Sequence, residues 1–225
     1  MKNIVLSLGG SLIVPDEIQA GFLKQFAELI RSRKDGYRFV IFVGGGSTAR
    51  KYMEGASEAA QLTDEQRDWL GIHASHLNAH LLKMIFGADA AEKVINDPTQ
   101  PVAFENLVTV GAGWKPGWST DYDAVQVAAS NGIDRVVNLS NIKYVYDADP
   151  KDNPEAKPIM DIAWPEFRKI VGNEWKPGLS MPFDPIAAKL AEEKGIEVVI
   201  ADGTDIDNIG TILDGKEFSG TLIHS

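Results

Sequence analysis

The sequence predicts an α/β fold with a mostly parallel central sheet, and three observations carry that prediction. Phe39-Val40-Ile41-Phe42-Val43 is a continuous apolar run without alternation, the pattern of a strand buried on both faces. It breaks into Gly44-Gly45-Gly46 and then into a segment of helical character, Ser47-Thr48-Ala49-Arg50-Lys51-Tyr52. The same order opens the chain: Ile4-Val5-Leu6-Ser7-Leu8 empties into Gly9-Gly10-Ser11, ahead of a helix-like stretch bearing Ile18, Phe22, Phe26, Leu29 and Ile30. Repeated β–α units imply a parallel sheet with a ligand crevice at the carboxyl ends of its strands.

The later elements follow the same alternation. Asn96 to Pro101 is a loop between a helical region and the strand Leu107–Val110. Arg135–Leu139 and Glu197–Ile200 are further apolar strands, and the segment Asp147 to Pro154 is a loop after another. Gly172 to Pro185, rich in Gly and Pro, precedes a helix. Gly210–Leu213 and Gly220–Ile223 are read as a closing hairpin, which gives the sheet an antiparallel finish.

Both glycine turns suit an anion. Glycine allows a tight turn and close backbone approach, and a following helix N-terminus offers unpaired N–H groups with partial positive charge. Arg50 sits about one turn into its helix, within reach of an anion held there. Neither turn is followed by Gly-Lys-Ser/Thr, and no Gly-x-Gly-x-x-Gly opens the first helix. A usual dinucleotide site is therefore unsupported.

Composition excludes several classes. The 225 residues suffice for one large α/β domain or two small ones. A net charge of −10 argues against a general nucleic-acid or membrane-surface binder. The absence of cysteine rules out disulfides, thiolate catalysis and Cys-based zinc sites. No apolar stretch approaches membrane-spanning length and no signal-peptide pattern precedes the first strand, so a cytoplasmic location is expected.

Four segments carry polar residues where such a sheet places its ligand. Gly111 to Asp121 holds Ser119, Thr120 and Asp121, all suited to capping a helix, beside Trp114 and Trp118, whose rings suit stacking on a base or sugar. Ser140-Asn141, with Tyr146 and Asp149-Pro150, reads either as an adenine and ribose contact or as an Asp-Pro turn after a strand. In Ser180 to Pro185, Asp184 is either an N-cap ahead of Pro185 or a carboxylate aimed at the crevice. Around Asp68 and Gly71, His73, His76 and His80 share one helix face at i, i+3 and i+7. Without a carboxylate-bearing zinc pattern, that trio reads as an interface or polar face ahead of a metal site.

Taken in order, Leu8-Gly9-Gly10-Ser11, Val43-Gly44-Gly45-Gly46 with Ala49-Arg50, Ser119-Thr120-Asp121 and Val145-Tyr146-Asp147-Ala148-Asp149-Pro150 resemble the amino acid kinase superfamily. Asp68-Trp69-Leu70-Gly71-Ile72, Asn78-Ala79 and Asp184 to Lys189 are similar to its archaeal-type uridylate (UMP) kinase group. The resemblance covers essentially the whole chain and implies a single three-layer α/β/α domain over residues 1–225, with an acceptor-binding part to about residue 135 and an ATP-binding part after it.

It further implies ATP-dependent phosphorylation of a nucleoside monophosphate, UMP to UDP in pyrimidine nucleotide biosynthesis, with Mg²⁺ accompanying ATP and a homo-oligomer, a hexamer. By matching position, Gly9, Gly10, Ser11, Gly46 and Arg50 face the ATP phosphates, and Ser140, Asn141, Tyr146 and Asp149 face adenosine. Gly45, Asp68 and the loop Trp114, Lys115, Pro116, Gly117, Trp118, Ser119 and Thr120 hold UMP. Asp121 and Asp184, with Arg50, are the catalytic group. Phosphoryl transfer asks for alignment and charge neutralisation more than covalent chemistry, which fits such a set. The chain departs from the pattern at Ser7, where many members carry Lys, and at Ile142-Lys143-Tyr144 in place of Val-Asp-Gly. His76 in place of Arg, and Trp114 and Trp118, are further departures. The alternatives are a kinase of another small phosphate or carboxylate acceptor, and a nucleotide-binding or oxometalate-storage protein of the same fold without turnover.

Overall fold

The computed structural model describes residues 1–150, 152–176 and 181–225. Ser180 and part of the Gly172 to Pro185 loop, together with Lys151, lie outside the described residues. Strand β1 (Lys2–Leu8) leads through a single helical turn, α1 (Gly10–Ile13), to α2 (Ala20–Arg31) and β2 (Tyr37–Val43). Helices α3 (Gly46–Ala59) and α4 (Asp64–Phe86) precede β3 (Val108–Gly111), α5 (Thr120–Ser130) and β4 (Arg135–Ser140). The rest of the chain comprises β5 (Val145–Tyr146), β6 (Pro158–Ile159), β7 (Asp161–Ala163), α6 (Trp164–Val171), α7 (Pro185–Lys194), β8 (Glu197–Asp202), α8 (Ile206–Leu213) and β9 (Thr221–His224).

Seven strands form one sheet in the order β3-β2-β1-β4-β8-β9-β7, while β5 and β6 make a separate antiparallel pair. Pairing is parallel from β3 through β8, and only β8 against β9 is antiparallel. Alternation along each strand sends side chains to two separate cores. Leu6, Ile41, Val110, Val137 and Val199 pack under α1, α2, α4 and α8 on one face. Val5, Val40, Val136, Val198 and Ile223 pack under α5, α6 and α7 on the other. The architecture is thus the three-layer α/β/α sandwich with a mostly parallel sheet that the sequence predicts. Each fully buried Val, Leu, Ile or Phe contributes about 1.5–3 kcal/mol.

The expected closing hairpin is corrected. Gly210–Leu213 belongs to α8, because Asp205 caps it through the Asn208 N–H at 3.0 Å and Ile209, Ile212 and Leu213 fall on one buried helical face. The antiparallel finish survives in another form, with β9 returning against β8 in the register Ile200↔Thr221. Ile18 lies ahead of α2 and is 57% exposed, so the buried stripe of that helix is Leu23, Phe26, Ala27 and Ile30. Helix α4 starts where Thr63 and Gln66 cap one another reciprocally, a box that satisfies two otherwise unpaired N–H groups.

Chain order fixes where a ligand sits. From β1 the chain moves outward to β2 and β3, then crosses back to β4 on the other side of β1. The carboxyl ends of β1 and β4 therefore border a topological switch point, the usual crevice of an open α/β sheet.

Candidate active site

The two glycine turns touch each other. A side chain on Gly10 would meet Gly46 N at 2.2 Å and Gly44 O at 2.3 Å, and one on Gly46, whose φ is +62°, would meet Gly10 O at 2.4 Å. Their missing side chains thus let the turns after β1 and β2 pack backbone to backbone. Asn78, buried in α4, donates from Nδ2 to Gly44 O at 2.9 Å and Gly45 O at 3.1 Å. In a trans peptide the C=O and N–H point opposite ways, so tying these two carbonyls inward turns the N–H groups of Gly45 and Gly46 away from Asn78. Among the described residues no acceptor pairs with the N–H groups of Gly10, Ser11, Gly45 or Gly46. Together with the N-terminus of α3, they present a group of unpaired donors of the kind that suits an anion.

Beside this junction lies a cavity of about 190 Å³, lined by Gly44, Gly45, Ala49, Met53, Arg67, Asp68, Gly71, Ile72, Ser75, Gly113, Trp118, Ser119, Thr120 and Trp175. Asp68 accepts the Gly117 N–H at 2.8 Å and the Trp175 indole N–H at 3.3 Å from each oxygen. Burial raises its pKa, partly offset by those two donors. Gly45 is glycine for space, since a side chain there would meet the Ala49 Cβ at 2.6 Å and Gly71 O at 3.0 Å.

The tryptophan loop is organised within itself. Trp114 and Trp118 lie 5.6 Å apart, Trp118 and Tyr122 lie 4.4 Å apart, and Lys115 Nζ sits 4.0 Å over Trp114. Gly117 at φ +110° makes the bend. Of the loop, Trp118, Ser119 and Thr120 line the cavity.

A chain of carboxylates runs behind the loop. Asp184 caps α7 through the N–H groups of Ile186 and Ala187, and its other oxygen accepts both the N–H and hydroxyl of Ser119 at 2.7 and 2.9 Å. Four donors leave it with a capping and clamping role. Ser119 caps α5, its hydroxyl accepting the Asp121 N–H. Asp121 Oδ1 then accepts the Ser7 hydroxyl at 2.6 Å and Asn138 Nδ2 at 2.7 Å, two residues opposite one another in the β1–β4 register. Burial, reinforced by the Asp184 charge, pushes the Asp121 pKa up to about 6. Asp123 is fully buried, and burial pushes its pKa well up despite the Trp114 N–H and Trp118 indole beside it.

Other predicted residues are placed differently. Arg50 is exposed and lies outside the cavity lining. Ser140 ends β4 with its carbonyl accepting the Gly203 N–H, Tyr146 meets Tyr144 edge-on at 6.5 Å, and the Asp149 carbonyl accepts the N–H groups of Asp152 and Asn153 in a turn. His76 Nε2 donates to Gly113 O at 3.0 Å, burial lowers its pKa, and His73 and His80 are exposed. Among the described residues no group of three His, Asp or Glu side chains is arranged to hold a metal ion.

A sequence profile described as the Amino acid kinase family matches residues 2–202. The chain belongs to the amino acid kinase family. It is 33% identical to a uridylate kinase of Hyperthermus butylicus over 98% of this chain and 97% of that one. A uridylate kinase of Methanospirillum hungatei is 33% identical over 99% of this chain and 95% of that one. The crystal structure of a uridylate kinase from Archaeoglobus fulgidus superimposes with a TM-score of 0.84 at 32% identity, covering 99% of this chain and 100% of that one. In this amino acid kinase, sequence reading passes over Arg67 and Trp175 in the cavity and gives Asn78 no job. Arg67 stands next to Asp68 and was legible as a candidate, whereas Trp175 reaches Asp68 across 107 residues of chain with no local signal.

Proposed function

We propose that the protein transfers the γ-phosphoryl group of ATP to UMP, forming UDP and ADP. The observation that carries this reading is the junction of two glycine turns opening beside a cavity that presents Asp68. The near full-length identity with uridylate kinases supports UMP as the acceptor. In this reading the N–H groups of Gly10, Ser11 and Gly46 and the N-terminus of α3 receive the transferring phosphates; Gly9, whose N–H is held by Leu139 O, shapes the turn beside them, and Arg50 approaches from the exposed face of α3. Preorganised donors aimed at developing charge lower the barrier without covalent help from the protein. Gly45, Asp68 and the 114–120 loop hold the acceptor, Asp68 taking the ribose hydroxyls. Ser140, Asn141, Tyr146 and Asp149 line the adenosine side, so the acceptor-binding part runs to about residue 135 and the ATP-binding part follows. Trp175 is an exception, entering the acceptor cavity from the second part.

Asp121 faces the switch point between β1 and β4 and orients the reacting groups, while Asp184 positions it through Ser119. With Asp184 already holding four donors, Mg²⁺ fits as an ion carried by the nucleotide phosphates, with Asp121 the carboxylate to meet it. When bound it neutralises phosphate charge. A homo-oligomer, in its expected form a hexamer, fits the exposed stripe Trp69, Leu77 and Met84 on α4, interleaved with His73 and His80.

The test offers purified protein Mg²⁺-ATP with UMP, CMP, small carboxylates or no acceptor, and measures ADP release. Turnover confined to nucleoside monophosphates, greatest with UMP, is expected. Retained ATP binding without turnover on any acceptor would overturn the enzyme reading.

A further inference from the structure

The acceptor cavity is surrounded by negative charge. Asp68 lines it, and behind it stands Asp184, whose charge helps to raise the pKa values of Asp68, Asp121 and Asp123. A nucleoside monophosphate would bring two more negative charges. Arg67 is the one Lys or Arg among the described residues lining this cavity.

Its placement runs against local preference. Arg67 is the fourth residue of α4, where the helix dipole disfavours a cation. Its Nε is buried without a partner. The same holds for Nε of Arg33, Arg38 and Arg168, but each of those delivers its terminal nitrogens to protein oxygens, at Gly210 O, Lys34 O and Glu192 respectively. Arg67 makes no side-chain hydrogen bond or ion pair with any described residue. Even Asp68, its neighbour in sequence, gives its oxygens to Gly117 and Trp175 instead. A half-buried guanidinium that opposes its helix, lines a cavity and has no protein acceptor is arranged for an anion from outside.

We infer that Arg67 binds the phosphate of the acceptor nucleotide. This rests on the reading of the cavity as the acceptor site. The planar guanidinium meets two phosphate oxygens at once, a geometry that ammonium cannot reproduce. The labour is then divided: Arg50, exposed on α3 and outside the cavity, serves the donor side, and Arg67 serves the acceptor.

Calorimetric titration of the wild-type protein, Arg67→Gln and Arg67→Lys with UMP, uridine and CMP in the absence of ATP tests this, with circular dichroism melts checking the fold. The wild type is expected to prefer UMP to uridine. Arg67→Gln should weaken UMP binding roughly 10- to 100-fold, the usual worth of a charge-assisted hydrogen bond to an ion, while uridine binding stays unchanged. Arg67→Lys should fall between the two. A wild-type ratio of UMP to uridine affinity in Arg67→Gln, whether both ligands bind normally or both weaken equally, overturns the inference. Loss of the choice between UMP and CMP alone would assign Arg67 to the base and overturn it too. A wild-type protein that binds no nucleoside monophosphate would instead sink the acceptor-site reading, and this inference with it.

Discussion

Replacing Gly10 by Ala tests whether the contact between the two glycine turns builds the site. The new methyl would stand 2.2 Å from Gly46 N and 2.3 Å from Gly44 O, where ordinary contacts are more than 1 Å longer. Both neighbours are backbone, so no side chain can rotate out of the way. Overpacking a core costs typically about 1–3 kcal/mol even where side chains adjust. Here the turns must separate, and we expect about 3 kcal/mol. For a domain of this size each kcal/mol is worth roughly 2–4 °C, so the melting temperature should drop roughly 6–12 °C. Separation also moves the N–H groups proposed to receive the phosphates, and a displacement near 1 Å costs on the order of 100-fold in rate. Gly55→Ala is the control: it lies inside α3 with open space where the methyl would go, and should stabilise by about 0.5–1 kcal/mol with activity unchanged. Thermal melts followed by circular dichroism, and coupled ADP release, read both variants. A Gly10→Ala protein that melts and turns over like the wild type would refute the account of the junction.

Three other consequences can be checked. Asn78→Ala leaves Gly44 O and Gly45 O without their donor, so urea denaturation should show a loss of about 2–6 kcal/mol, at about 1–3 kcal/mol per stranded group, with a raised KM for nucleotide; a stability loss with unchanged kinetics would leave Asn78 a purely structural residue. If ionised Asp121 is the working form, kcat/KM should rise through an acid limb near pH 6, and Asp121→Asn should lose most of its rate and flatten that limb; a variant with the wild-type profile would remove Asp121 from the reaction. Burial raises the Asp123 pKa, so its folded value lies above its unfolded one, and the stability its protonated form favours is present below about pH 4 and declines as pH rises toward the folded value, by about 1.4 kcal/mol per unit. Urea midpoints for Asp123→Asn should therefore fall less steeply with rising pH than the wild type's, and parallel curves would contradict the assignment.

What the sequence makes legible follows from locality. Parallel strands buried on both faces announce themselves as apolar runs, which is why β1, β2, β3, β4 and β8 are read close to their true bounds. The glycine turns are legible because few other sequences make that turn. Gly210–Leu213 misleads because Thr211 and Ile212 carry strand preference, while the Asp205 cap and the spacing of Ile209, Ile212 and Leu213 decide for helix. The site is less legible. The reasons for Gly10 and Gly46 lie in each other, 36 residues apart by their numbers, and Asn78 reaches back across 34 residues to Gly44. The aromatic loop is recognisable by composition, yet its rings pack at a tilt against one another and against Tyr122, with Lys115 over both tryptophans.

The substitution at Ser7 connects these observations. A lysine there would set a fixed cation against Asp121. Ser7 instead supplies a neutral hydroxyl, Asn138 a neutral amide, and no cation stands among the main influences on the Asp121 pKa. Opposite charge nearby lowers a carboxyl pKa, whereas burial among neutral donors leaves it high. In the proposed reaction the cation that meets this carboxylate would be the nucleotide's Mg²⁺, and its arrival would lower that pKa. On the protein's side Arg67 stands in the cavity wall, and Arg50 is exposed on α3 outside the cavity lining. In the proposed reaction these arginines offset the phosphate charge and Mg²⁺ offsets the Asp121 carboxylate, so a nucleotide arriving without the ion would add its negative charge to an acidic site.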